Sequence, residues 1–238
     1  MIVSDLPALS SYLLDTGRYY AHLPKIAGNP IETIEEHVDL VNRYFEKLVD
    51  AHQLDSVIDR LINGISTEVD LETGNYIKVL FVNTIVFHDF GKINEHFQTE
   101  KMKNEKFFEG SYNESPISSN HSALSAFIYL TKHLNEIVLE KKQNPLLVTS
   151  CIYFAYSIFK HHGRTFDNDC KSTLSFTDIK ARYNWSEVKQ FLSLYLERFQ
   201  YKIHFSIINL VGNDRLLDES PFREYVNSFE LYSLCRLN

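Results

Sequence analysis

The chain has 238 residues, 44% of them hydrophobic, and a formal net charge of −7. That length can bury a substantial core without disulfide staples, and the negative balance argues against a protein that grips nucleic acid through a basic surface of its own. Any nucleic-acid substrate would need a partner to deliver it or a metal to neutralise it. Gly (8) and Pro (6) are scarce, and no repeat or low-complexity stretch interrupts the chain, which predicts a single domain over 1–238. Cys151, Cys170 and Cys235 make no C-x-x-C pair, which fits a reducing, cytoplasmic compartment better than a disulfide framework. The N-terminus lacks the pattern of a signal peptide. The longest uncharged stretch, 143–159, is shorter than a membrane span and reads as a buried helix, so no membrane partner is expected.

Taken in chain order, Tyr19 and Tyr20 favour a strand, and a small hairpin over 18–26 is expected. Thr33 and Glu36 form the S/T-x-x-E capping pattern. Ile34, Val38, Val41, Phe45 and Leu48 then recur at spacings of three and four, one face of a helix running to His52. His37 shares that face and should point inward. Gly74-Asn75 reads as a turn. The segment 76–92, YIKVLFVNTIVFHDFGK, reads as a buried helix ending at His88 and Asp89, with Gly91 as its breaker. Its β-branched residues leave a strand as the alternative, which length disfavours. Residues 101–120 are polar and read as a loop, with Ser119-Asn120 capping a helix from His121 to Lys142. Asn144-Pro145 opens the next helix, which ends at His161-His162 before Gly163. Amphipathic stretches over 177–200 and 221–238 follow. The fold class is all-α.

Six residues with metal-ligand chemistry fall on or at the ends of these helices: His37, His88, Asp89, His121, His161 and His162. A lone histidine on an apolar face is ordinarily a hydrogen-bonded core residue, and His22, His52, His96, His133 and His204 are read that way. Recurrence on four helices argues otherwise for the six. Imidazole and carboxylate both suit divalent transition metals, and a carboxylate can bridge two ions. A two-metal site in a helical core suits hydrolysis of phosphate esters. Lys92, four residues after His88, would meet a phosphate oxygen or else lie in solvent.

His37, then HDFGKINEHFQ (88–98), HSALSA (121–126) and HHG (161–163) resemble the HD nuclease domain of type I CRISPR-associated helicase-nucleases. The similarity spans about 18–163. It implies a compact HD-superfamily helical bundle that cuts single-stranded DNA with two divalent ions: manganese, nickel, cobalt or iron, with magnesium as a further candidate. By that resemblance His37, His88 and Asp89 hold one ion. Asp89 bridges to a second, held also by His121, His161 and His162, and Lys92 lies near the scissile phosphate. The partners implied are single-stranded DNA, a helicase domain C-terminal on the same chain or on a separate chain, and a guide-RNA surveillance complex. The family carries a further aspartate near the end of the domain. No matching residue precedes Asn238, so the chain is expected to be the N-terminal part of a longer helicase-nuclease; Asp214 and Asp218 are candidates by sequence proximity only. Two rivals remain. A cyclic-dinucleotide phosphodiesterase of the HD-GYP type would carry Gly-Tyr-Pro and His-His-Glu where 161–166 read HHGRTF. A non-catalytic metal-binding module has no reason to retain all six residues.

Overall fold

The computed structural model describes residues 6–65, 69–94, 96–105, 121–141, 144–162 and 233–234. These are mostly helical: α1 Ile34–His52, α2 Leu54–Ile65, α3 Leu71–Phe87, α4 His121–Glu140 and α5 Pro145–Lys160. One antiparallel ribbon, β1 Tyr20–His22 with β2 Glu32–Thr33, accompanies them. None of the described helices is long and apolar enough to cross a membrane.

The capping signals act where the sequence places them. Thr33 Oγ1 accepts from the Glu36 amide, and the Glu36 carboxylate accepts from the Thr33 amide, so two orphan donors of α1 are satisfied reciprocally. Asn144 Oδ1 accepts from the amides of Leu146 and Leu147, and Pro145 occupies the first turn of α5, where its missing N–H costs nothing. Helices α3, α4 and α5 form the centre. Phe81 of α3 meets Phe154 of α5 edge-on, Phe87 meets Tyr129 of α4, and the Tyr129 hydroxyl donates to the Leu80 carbonyl.

The segment 76–87 is helix, as its length suggested. Several other expectations change. Gly74-Asn75 is no turn: α3 starts earlier, with Asp70 Oδ1 accepting from the Thr73 amide, and Gly74 lies inside the helix. A Cβ at Gly74 would meet side-chain methyls of Ile62 and Val69 at 3.4 and 3.5 Å, so the position faces α2 within the packed interior. On α1 the buried face runs from Phe45 to Val49, four residues on, leaving Leu48, three on, 50% exposed, because steps of three and four fall on opposite flanks of a 3.6-residue turn. The ribbon pairs β1 with residues 32–33, beyond the expected 18–26. Helix α2, unforeseen above, buries Ile58 and Ile62. Most of the 101–120 loop, the Ser119-Asn120 cap, Gly163, the stretch 177–200 and nearly all of 221–238 lie outside the described residues. So do His204, Asp214 and Asp218.

Candidate metal centre

Four helix ends and one turn bring the six residues together. His37 sits one turn into α1, and its position follows from the Thr33–Glu36 box that fixes where the helix begins. His88 caps the C-terminus of α3, Asp89 follows it, and a 3-10 turn, Phe90–Lys92, carries the chain away. His121 opens α4, and His161 and His162 follow the end of α5. Gly91 does more than break a helix. A Cβ there would collide with the His121 carbonyl and lie 2.8 Å from the Ser125 amide, while the Gly91 amide donates to Ser125 Oγ at 2.7 Å. The absence of a side chain at 91 therefore sets Asp89 against the first turn of α4.

The imidazoles are oriented from behind. His88 Nδ1 donates to the Ile85 carbonyl at 2.5 Å and His161 Nδ1 to the Ile158 carbonyl at 2.6 Å. A carbonyl only accepts, so each Nδ1 carries a proton, which leaves Nε2 as the atom each ring can offer to a metal. His37 Nδ1 faces Glu32 Oε1 at 3.2 Å in the same way. The Nε2 atoms of His37 and His88 then approach to 3.3 Å, and each is 3.3 Å from Asp89 Oδ2. Asp89 Oδ1 faces His121 Nε2 at 3.3 Å and His161 Nε2 at 3.4 Å, and His162 Nε2 meets His121 Nε2 at 2.7 Å. The two carboxylate oxygens thus serve two ligand groups separately: His37 and His88 on one side, His121, His161 and His162 on the other.

Asp89 and Lys92 are both buried, and Lys92 Nζ pairs with Asp89 Oδ2 at 2.7 Å. Lys92 is therefore not a solvated lysine. Burial alone would raise the Asp89 carboxyl; His121, His161, His37 and His88 outweigh it and hold the group well below the usual carboxylate range. Burial lowers His37, but Asp89 and Glu32 reverse the sign and raise it. Burial, with His161 and His121 close by, pushes His162 down to about 4.

Among the described residues, Asp89 Oδ1 and His161 Nε2 are buried without a hydrogen-bond partner. Their contacts to each other and to His121 are ion-pair distances without hydrogen-bond geometry. Converging lone pairs with two orphaned acceptors are costly unless a cation sits among them. The nitrogen and oxygen donor set fits a divalent transition metal.

The sequence model of the family described as "Cas3, HD domain" matches residues 31–205, well over half the chain. The chain belongs to the Cas3 HD family. All six ligand-type residues and Lys92 fall within the matched span. Membership in the Cas3 HD family makes the chain a metal-dependent nuclease of CRISPR defence. No curated protein and no solved structure matches it.

Of the histidines read as ordinary, His133 is a buried core residue, with Nε2 accepting from Asn83 and Nδ1 donating to Glu136. His52 is exposed, and His96 is partly buried outside both ligand groups. His22 is the correction: it borders the Cas3 HD centre, with Nε2 3.1 Å from Lys92 Nζ and Nδ1 2.8 Å from Glu32 Oε2. Glu32 was missed altogether. Tyr19 and Tyr20 marked the strand but not the side chain that would face it.

Proposed function

We propose that this chain hydrolyses phosphodiester bonds of single-stranded DNA in type I CRISPR interference, with two divalent transition-metal ions bound at the Asp89 cluster. The observation that carries this reading is the division of the Asp89 carboxylate, one oxygen toward each histidine group. Such a bridge suits a pair of neighbouring ions better than one. Bound there, the ions would activate water and neutralise the phosphate and leaving oxygen.

The residues supply the rest. His37, His88 and His161 reach the centre with Nε2 preset by their Nδ1 partners, so little reorganisation is needed on binding. Asp89 stays ionised among them. Lys92, charged and within reach of Asp89, would meet a non-bridging phosphate oxygen. An acidic chain gains little from its own field on a polyanion. Delivery of the strand by a helicase domain, in the same chain or another, and recruitment by a guide-RNA surveillance complex in the cytoplasm, complete the proposal.

The test is cleavage of circular single-stranded DNA with manganese, with nickel and with EDTA, beside Asp89→Ala. Metal-dependent cutting is expected, reduced by more than about a hundredfold in Asp89→Ala, since even residues that only orient a ligand cost 10–100-fold. Cutting that survives EDTA, or turnover of a cyclic dinucleotide in preference to DNA, would overturn it.

A further inference from the structure

Glu32 and His22 lie outside both halves of the Asp89 bridge, yet they close a ring of polar contacts through it. Glu32 Oε1 meets His37 Nδ1 at 3.2 Å; His37 Nε2 meets Asp89 Oδ2 at 3.3 Å; Asp89 Oδ2 pairs with Lys92 Nζ at 2.7 Å. Lys92 Nζ reaches His22 Nε2 at 3.1 Å, and His22 Nδ1 returns to Glu32 Oε2 at 2.8 Å. The ring fixes its own protons. A lysine ammonium only donates, so His22 Nε2 must accept and His22 Nδ1 must carry the hydrogen. A carboxylate only accepts, so Glu32 takes one Nδ1–H on each oxygen. In the neutral form that binds metal, His37 then presents Nε2 as its lone pair on the Asp89 side.

The register of the ribbon makes this contact. A bulge between Tyr20 and His22 sets His22 opposite Glu32 rather than one residue out of step. Gln98, fully buried, accepts from the Tyr20 amide and donates to the carbonyls of Tyr20 and Lys92. It thereby fixes β1 relative to the turn that carries Lys92. A surface ion pair would need none of this.

We propose that Glu32 and His22 are positioning residues of the centre: Glu32 sets the His37 ring for metal binding, and His22 sets the Lys92 ammonium for the substrate. The inference rests on the reading that metal occupies the Asp89 cluster. It also separates the two roles. Loss of Glu32 frees His37 to rotate or change tautomer, whereas loss of His22 leaves the Glu32–His37 contact in place.

The test is a cobalt(II) titration of the full chain, followed by visible absorption and calorimetry, on wild type, Glu32→Ala, Glu32→Gln and His22→Ala, with melting curves as a check on folding. Glu32→Ala should weaken metal binding by about 10–100-fold and alter the cobalt spectrum. Glu32→Gln should recover most of the affinity, because its amide oxygen still accepts from His37 Nδ1. His22→Ala should bind cobalt like wild type but cleave with a kcat lowered about tenfold or more and KM little changed. Wild-type affinity and spectrum in Glu32→Ala would overturn the role of Glu32, as would a Gln variant no better than Ala. Wild-type kcat in His22→Ala would overturn that of His22. No cobalt binding by wild type would instead bring down the metal reading, and this inference with it.

Discussion

Asp89 Oδ1 and His161 Nε2 lie 3.4 Å apart, both buried, and neither has a hydrogen-bond partner among the described residues. Two acceptors held so close are a standing cost that a bound cation removes. Metal should therefore stabilise the fold as well as enable chemistry. At a hundredfold excess over Kd, one ion adds about 2.7 kcal/mol. For a chain of this size that is roughly 5–10 °C in Tm. Scanning calorimetry with manganese against EDTA should show the rise, and His161→Ala should shrink it. An identical Tm in both buffers would mean that these atoms do not meet metal.

Gly91 offers a sharper structural test. A Cβ at 91 would drive into the His121 carbonyl and the Ser125 amide, both of them backbone and unable to swing aside. Gly91→Ala should cost about 1–3 kcal/mol, the range for forced overpacking. Because the strain falls on the first turn of α4, it should also weaken metal binding through His121. A variant as stable as wild type, with unchanged metal affinity, would contradict this packing.

Acid should unfold the protein through His133 before it reaches the carboxylates at large. Burial pushes His133 down to about 4 from its ordinary 6.5. Glu136, Lys132, Asn83 and, through them, Tyr12 and Tyr76 face it. Between those two values the unfolded chain binds the more protons, so stability falls as pH drops from about 6.5 to 4. Burial would raise Glu136, but His133 and Lys132 hold it at about 2, which extends the loss from about 4.5 downward with the same sign. Urea unfolding at a series of pH values should show a flatter dependence between 6.5 and 4 for His133→Gln than for wild type. Parallel curves would remove His133 as the cause.

Two of the capped helices, α1 and α5, separate stability from function. Thr33→Ala and Asn144→Ala should each cost about 1 kcal/mol, the usual worth of an N-cap side chain. Asn144 stands at the far end of α5 from His161, about 24 Å along a 16-residue helix. Its variant should cleave normally once folded. Thr33 adjoins Glu32 and sets the turn that carries His37, so its variant should lose activity beyond its loss of stability. Equal specific activities in the two would show that the α1 cap does not position His37.

The helical framework and six of the centre's residues were legible because they sit where sequence signals are strong. Thr33-x-x-Glu36 and Asn144-Pro145 mark helix starts, and His88-Asp89 and His161-His162 follow long apolar runs. What was not legible depends on contacts distant along the chain. Gly74 looks like a turn until Asp70 is seen to cap α3 and the glycine is seen to face Ile62 of α2. Glu32 and His22 carry no periodicity; their meeting depends on a bulged ribbon with a loop between its strands. Lys92 gave no hint of burial, because its partners come from Asp89 nearby and His22 seventy residues away.

Gln98 hydrogen-bonds at once to the Tyr20 backbone, the Lys92 carbonyl and Asn104, whose amide in turn holds the Arg18 carbonyl. One side chain therefore joins the ribbon, the lysine turn and the segment after it into a single cooperative unit. Peeling the ribbon away would strip the lysine turn of these bonds, so the ribbon and that turn should open together. The Tyr20 amide, bonded to Gln98, then becomes a gauge: its exchange with solvent hydrogen reports when the ribbon parts from the turn that carries Lys92.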